Sequence, residues 1–475
     1  MKLTARHGIV PLLAALALGV SGCAFFPQTT VSEPPAFENP APQSSAADLA
    51  VPGSVAEAMA ANATPIDAGA DLAVSGSPVQ ITLSDAGSSA GEGVNVAGSQ
   101  ITISQPGSYR VTGSLSDGQL SVDVASKGLV QIILDGVSIT NSKSAAVVLS
   151  GADRVALILE GESQLTDAET YVYPDSATTE PDAALFSFVD LVIGGSGKLT
   201  VNGRAGDGIT GKDGLVIAGG TLNVTAADDA IKGRDYLAIT GGDITANGGG
   251  DGLKASNDSD ETAGYLLMSG GSVKAAAATD CIDAVTDVLI TGGALELSCG
   301  DDGIHSDQLL MVEDGQINIT KSYEGIESAV IVIAGGQLDI TADDDGINAS
   351  NGNSTDSDGF QDRDWSDGGD DTWGRGGMDP ENMPTAMPQR GGRGGRGGGG
   401  FGGESVQAAT LVITGGKITI TAGGDGIDSN GTGSMTGGEV VINVANRGME
   451  GPIDVIGEWT VTGGTITDPE GNPIQ

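Results

Sequence analysis

The sequence predicts an all-β chain, a right-handed parallel β-helix (a solenoid) with about 22 residues per coil. Three observations carry this expectation. An acid followed by a small residue and a branched apolar one recurs at Asp207, Asp229, Asp251, Asp280, Asp302, Glu324, Asp345 and Asp425, in steps of 22, 22, 29, 22, 22, 21 and 80 residues. Between these copies lie short apolar runs ending in Gly-Gly and followed by strict alternation, such as Leu215–Gly220 then Thr221–Thr225, and Val288–Gly293 then Ala294–Ser298. Such runs read as strands with one buried face, joined by bends that need the positive φ of glycine. Finally, 78 glycines and only 3% aromatic residues suit thin strands and tight corners.

Taken in order, residues 1–22 read as a lipoprotein signal, with Lys2 and Arg6, an apolar stretch from Ile9 to Val20, and Val20-Ser21-Gly22-Cys23. This predicts cleavage before Cys23, lipidation of its sulfur, and an extracytoplasmic protein anchored at the cell surface or envelope. Residues 23–70, rich in Pro, Ala and Ser, read as a flexible tether. Residues 71–205 carry strands without the acid phrase and read as an N-terminal cap and first coils, with an excursion loop over 166–184. The acid coils follow over 206–350. Residues 351–405, rich in Gly, Asp and Arg and holding Met378, Met383, Met387 and the Arg390–Arg396 tract, read as a disordered insert. C-terminal coils occupy 406–475, with Arg447-Gly448-Met449 as a degenerate copy. Cys281 and Cys299 fall about four residues apart along adjacent coils, which predicts two buried free thiols.

The formal net charge of −42 excludes nucleic acid and anionic lipid headgroups as direct partners and favours cations. If the coils stack in register, the acids form a column about 4.8 Å apart. Neighbouring charges there repel by about 0.9 kcal/mol even in bulk water. Three residues on, Lys232 and Lys254 can neutralise the first copies, but later copies carry Asp283, His305 (neutral at pH 7 on its ordinary pKa), Glu327, Asn348 and Asp428. Clustered hard oxygens of this kind suit Ca²⁺. The expected ligands are Asp229, Asp251, Asp280, Asp283, Asp301, Asp302, Glu324, Glu327, Asp344, Asp345, Asp425 and Asp428. The plainer alternative is hydrated acids making turns on exposed bends.

At these residues the chain resembles the bacterial β-helix proteins called carbohydrate-binding domain-containing proteins. The resemblance rests on Ile101–Asp123 (ITISQPGSYRVTGSLSDGQLSVD), Gln131–Ser142 (QIILDGVSITNS), Asp190–Gly203 (DLVIGGSGKLTVNG) and the repeated acid phrase, over roughly residues 80–465. It implies a pectate-lyase-like fold, bound Ca²⁺ and a cellulose-like or pectin-like polysaccharide partner. Three functions follow. The leading one is a monomeric, surface-anchored, calcium-dependent polysaccharide-binding protein without catalysis. The second is a polysaccharide lyase in which Lys232 or Lys254 serves as base for calcium-assisted β-elimination, against the simpler reading of both as ion-pair partners. The third is a structural adhesin or envelope spacer.

Overall fold

The computed structural model describes residues 51–74, 76–351, 406–444 and 451–474. The expected signal and lipidation site at Cys23, nearly all of the insert and the Arg447 copy lie outside the described residues.

The structure corrects the expected fold class. The fold is all-β, but the 36 strands among the described residues join one continuous sheet rather than a uniform solenoid of 22-residue coils. Two antiparallel pairs, Ile81 with Ala90 and Val94 with Ile103, stand at its start. Before Asp207 the offset between parallel partners runs from 19 residues (Gln100 with Gln119) to 38 (Val147 with Leu185). Only in the acid-bearing stretch does the step settle at 22. The period read from that stretch was extended to the whole chain, whereas packing constrains only the strands. An inward side chain must meet an inward side chain, and the connecting bends are free to vary in length.

That constraint is visible along one inward row. Leu199, Leu222, Ile244, Val273, Leu295, Ile317, Leu338, Ile418 and Val440 lie over one another on successive strands, all buried. Each buried methylene contributes about 0.8 kcal/mol. The Gly-Gly bends between rows turn on glycines with φ between +81° and +97°, including Gly220, Gly242, Gly271, Gly293 and Gly336. The row crosses the insert without losing register, since Val330 pairs with Thr410 and Ile347 with Ile427.

A second row faces the other way and is also apolar. Ala156, Val192, Val216, Ala238, Leu267, Leu289, Met311, Val332 and Val412 follow one another in register on the outer face. Residues 51–74 cover it, which corrects the expectation that the tether extends to residue 70. A short helix, Val55–Ala58, packs on Leu289, Met311 and Val332, and a second, Ala68–Leu72, packs near Ala156, Val192 and Val216. Single polar contacts pin this strap along its length. The Val55 N–H donates to Glu313 Oε1 at 2.9 Å, Asn62 Nδ2 to Asp287 Oδ2 at 2.7 Å, and the Ile66 N–H to the Tyr236 hydroxyl at 3.2 Å. Arg154 meets the buried Asp71 carboxylate at 2.6 Å. The strands beneath are buried on both faces, which is why they read as unbroken apolar runs rather than alternation.

The cysteines also depart from expectation. Both are buried, but they form a disulfide with Cα atoms 5.5 Å apart. The strand end at Cys299 and Gly300 lies over Ala277, the Gly300 N–H donating to Ala277 O and Thr279 O, and the bend between Ala277 and Cys281 brings the two cysteines together. Flat register counting along the chain does not see that bend.

Candidate cation site on the acid column

The acids of the column sit at bends just before a strand, such as Ile231–Gly233 or Leu253–Ala255, except Asp207, which opens the strand Asp207–Gly211. Its first task is structural. Oδ1 of Asp207 accepts the N–H of Asp229 at 3.1 Å, Asp229 that of Asp251 at 2.9 Å, Asp251 that of Asp280 at 3.1 Å, and Asp280 that of Asp302 at 2.7 Å. The same bond recurs from the Asp425 N–H to Asp345 at 2.6 Å, and Asp425 accepts in turn from Gly451. Buried backbone donors must be satisfied, and the short Asp side chain reaches the next bend. Sequence reasoning missed this role, although the preference for Asp over Glu in every copy but one is its signature. The exception, Glu324, accepts from Asn348 Nδ2 at 2.8 Å.

The residues three positions on form their own column in register, Thr210, Lys232, Lys254, Asp283, His305, Glu327, Asn348, Asp428. Its first part neutralises the acids. Lys232 Nζ lies 3.1 Å from Asp229 Oδ2 and 3.7 Å from Asp207 Oδ2. Lys254 Nζ lies 2.6 Å from Asp251 Oδ2 and 3.0 Å from Asp283 Oδ2. Burial works against both ammonium charges, but the carboxylates outweigh it and hold both lysines well above their ordinary pKa.

His305 does not behave as expected from sequence. Burial opposes its charge, yet the 3.1 Å contact with Asp283, together with the charges of Asp283, Glu327 and Asp280, raises its pKa to about 10. It is therefore a cation at pH 7. Asp283 is pushed up by burial but held below the usual range by His305 and Lys254. Two bases thus already occupy the carboxylate that the sequence offered as a metal ligand. Asp280, which burial and Asp251 raise to about 8, shares this neutralised cluster. Asp207, raised by burial to about 7 against the pull of Lys232, clusters with Asp228 and Asp229 beside that lysine.

On the next strands the positions of those bases are taken by Glu327, Asn348 and Asp428. Ligand atoms of Asp302, Glu324 and Glu327 lie within 4.8 Å of one another. Burial drives Asp302 and Glu324 well above ordinary carboxylate values, and the neighbouring acids drive them further. Asn348 packs against the cluster, 8% exposed, and its buried Oδ1 has no hydrogen-bond partner. Three carboxylates and an unsatisfied amide oxygen are hard donors of the kind Ca²⁺ takes in sets of six to eight. Asp345, raised to about 7 by burial and by Asp344, Asp428 and Asp425, continues the acidic stretch. Of the other expected ligands, Asp229 and Asp251 pair with lysines, Asp301 is exposed at the adjoining bend, Asp344 is bonded to Tyr323, and Asp428 lies in register with Asn348.

Comparison with known proteins agrees with the sequence motifs. The family described as carbohydrate-binding domain-containing protein matches residues 97–354. A carbohydrate-binding domain-containing protein of Acetivibrio thermocellus is 37% identical over 137 residues, which are 28% of this chain and 48% of that relative, so the match spans about half the relative's length. A solved structure of a polysaccharide lyase-like protein from C. thermocellum, a gadolinium derivative, is 33% identical, covering 49% of this chain and 96% of that one with a TM-score of 0.48. Since the family match takes in more than half of the sequence, the chain belongs to the carbohydrate-binding domain-containing proteins.

Proposed function

We propose that this protein binds a polysaccharide non-catalytically through Ca²⁺ held at Asp302, Glu324 and Glu327, outside the cytoplasm and anchored by a lipid on Cys23. The observation that carries the reading is the cluster of Asp302, Glu324 and Glu327, whose ligand atoms lie within 4.8 Å of one another, beside the buried Oδ1 of Asn348. Membership of a carbohydrate-binding family supports the polysaccharide. The disulfide supports an oxidising compartment, where such bonds persist. Against a lyase, Lys232 and Lys254 are held protonated by their acids, and a protonated amine cannot take the α-proton of a uronate.

Calorimetry of Ca²⁺ binding to the wild type, Asp302→Asn and Asp229→Asn tests the site. The wild type should bind, Asp302→Asn should lose at least about tenfold in affinity (about 1.4 kcal/mol), and Asp229→Asn should lose little. At a hundredfold excess over Kd, binding to the native state alone adds about 2.7 kcal/mol of stability. A melting temperature unchanged between EDTA and millimolar Ca²⁺ would sink the cation, and polysaccharide retention that survives EDTA would sink its role in binding.

A further inference from the structure

The strap, residues 51–74, contains no strand and lies across the coils rather than within them. Its partners fall in reverse chain order. Val55 meets Glu313, Asn62 meets Asp287, Ala63 meets Tyr265, Ile66 meets Tyr236, and Asp71 meets Arg154. Gln131 ends the series, its Nε2 donating to Asp71 O at 2.7 Å and to Ala73 O at 3.1 Å. One short segment therefore runs over the outer row from the strand Leu129–Thr140 to the strand Ile326–Ile333.

One coil is lengthened to grip the middle of this segment. The step from Ala255 to Tyr265 is ten residues, whereas the coils on either side need three, from Gly233 to Tyr236 and from Ala284 to Asp287. The extra residues form a loop stiffened by its own side chains. Asn257 Oδ1 accepts the N–H groups of Ser259 at 2.9 Å and Asp260 at 3.2 Å, and Asp260 Oδ1 accepts that of Thr262 at 2.9 Å. This loop holds out Thr262 O, which accepts the Ala63 N–H at 2.7 Å. From the strand that follows, the Tyr265 hydroxyl donates to Ala63 O, so both backbone groups of Ala63 are held. The Tyr265 ring stacks on Tyr236 with centroids 5.4 Å apart, and the Tyr236 ring occupies space that a side chain at Gly214 would fill.

The helices Val55–Ala58 and Ala68–Leu72 are too short to keep their shape alone, so the order of the strap comes from docking along the row. Apart from the Ala63 to Thr262 bond, the polar contacts named above all end on side chains of the body, and the strap can leave without a strand moving. In a stack of repeats each coil is otherwise coupled only to its neighbours. We propose that residues 51–74 are a latch that docks and releases as one unit. Docked, it ties coils far apart in the stack into one cooperative body. Released, it bares the apolar outer row while the coils beneath stay folded.

Hydrogen–deuterium exchange on the full chain tests the latch at the N–H groups of Val55, Ala63 and Ile66, each of which donates to the body, and at Ile239, buried in the coil beneath. The three strap positions should open with one common constant and one common denaturant dependence, at least about tenfold more often than Ile239. Asn62→Ala removes the bond to Asp287 near the centre of the strap and should raise opening at all three by a shared factor of roughly ten. Three unrelated constants in the wild type would mean that the strap is a row of separate contacts. A response to Asn62→Ala confined to Ala63 would mean the same. Opening no more frequent than at Ile239 would make the strap a fixed part of the core. Each of these results would overturn the latch.

Discussion

The acid column divides into two stretches built from one repeat. From Asp207 to Asp283 every carboxylate has a base nearby, with Lys232 between Asp207 and Asp229, Lys254 between Asp251 and Asp283, and His305 on the far side of Asp283. From Asp302 onward the same positions carry Glu327, Asn348 and Asp428, and the acids rise far above their ordinary pKa. The strands stay in register through both, and the Asp-to-N–H bond of the first stretch returns between Asp345 and Asp425. The difference therefore lies in what satisfies the charge. One stretch carries its own cations as side chains, and the other carries acids or an amide at the same positions.

The largest expected effect comes from breaking the neutralised stretch. Lys254→Met leaves Asp251 and Asp283 facing each other without their ammonium and should cost about 3 kcal/mol, read as a fall in the denaturation midpoint at pH 7. A loss below about 1 kcal/mol would mean that solvent already screens the first stretch, and the contrast between the two would disappear.

A pH series sharpens the comparison. Asp207, Asp280 and Asp345 are raised to about 7 to 8 in the folded chain, and Asp302 and Glu324 well above the ordinary carboxylate range, against about 4 when unfolded. Between these values the folded state holds protons that the unfolded state releases, so stability falls as pH rises. His305 adds a loss of the same sign between about 6.5 and 10. In EDTA the melting temperature should drop from pH 5 to pH 8, and Ca²⁺ should restore it at pH 8. A flat or rising profile in EDTA would show that the second stretch is not strained by its own charge.

The smallest effect should come from deleting residues 352–403. Ile347 and Ile427 pair directly across this segment, and closure cost grows only logarithmically with loop length, so the change should stay within about 1 kcal/mol. A larger loss would tie the segment to the stability of the second stretch.

Much of this was legible in the sequence. The acid phrase located the column, its spacing gave the register from Ile209 to Ile347, and Lys232 and Lys254 were visible as neutralising partners. What failed were properties that depend on neighbours from distant strands. The charge of His305 is set by Asp283, 22 residues away, which a reference pKa cannot express. The Cys281–Cys299 bond depends on the bend between Ala277 and Cys281, which straight counting along strands omits. Residues 51–74 looked like tether because Pro, Ala and Ser say nothing about docking. The clue lay in the receiving strands, whose runs such as Leu309–Val312 are apolar at every position. The uniform coil failed because the regular stretch does not represent the irregular strands before it.

The strap sets an order of assembly. Val55 docks on Glu313, 258 residues later in the chain, and its helix rests on Val332. The outer row therefore stays bare until those late strands have been synthesised and laid down. A chain emerging from its N-terminus must hold residues 51–74 unplaced until those strands exist, with a greasy stripe exposed in the meantime. Docking of the strap is consequently a late step of folding, and the waiting stripe is where a partly finished molecule would meet a chaperone or another unfinished copy.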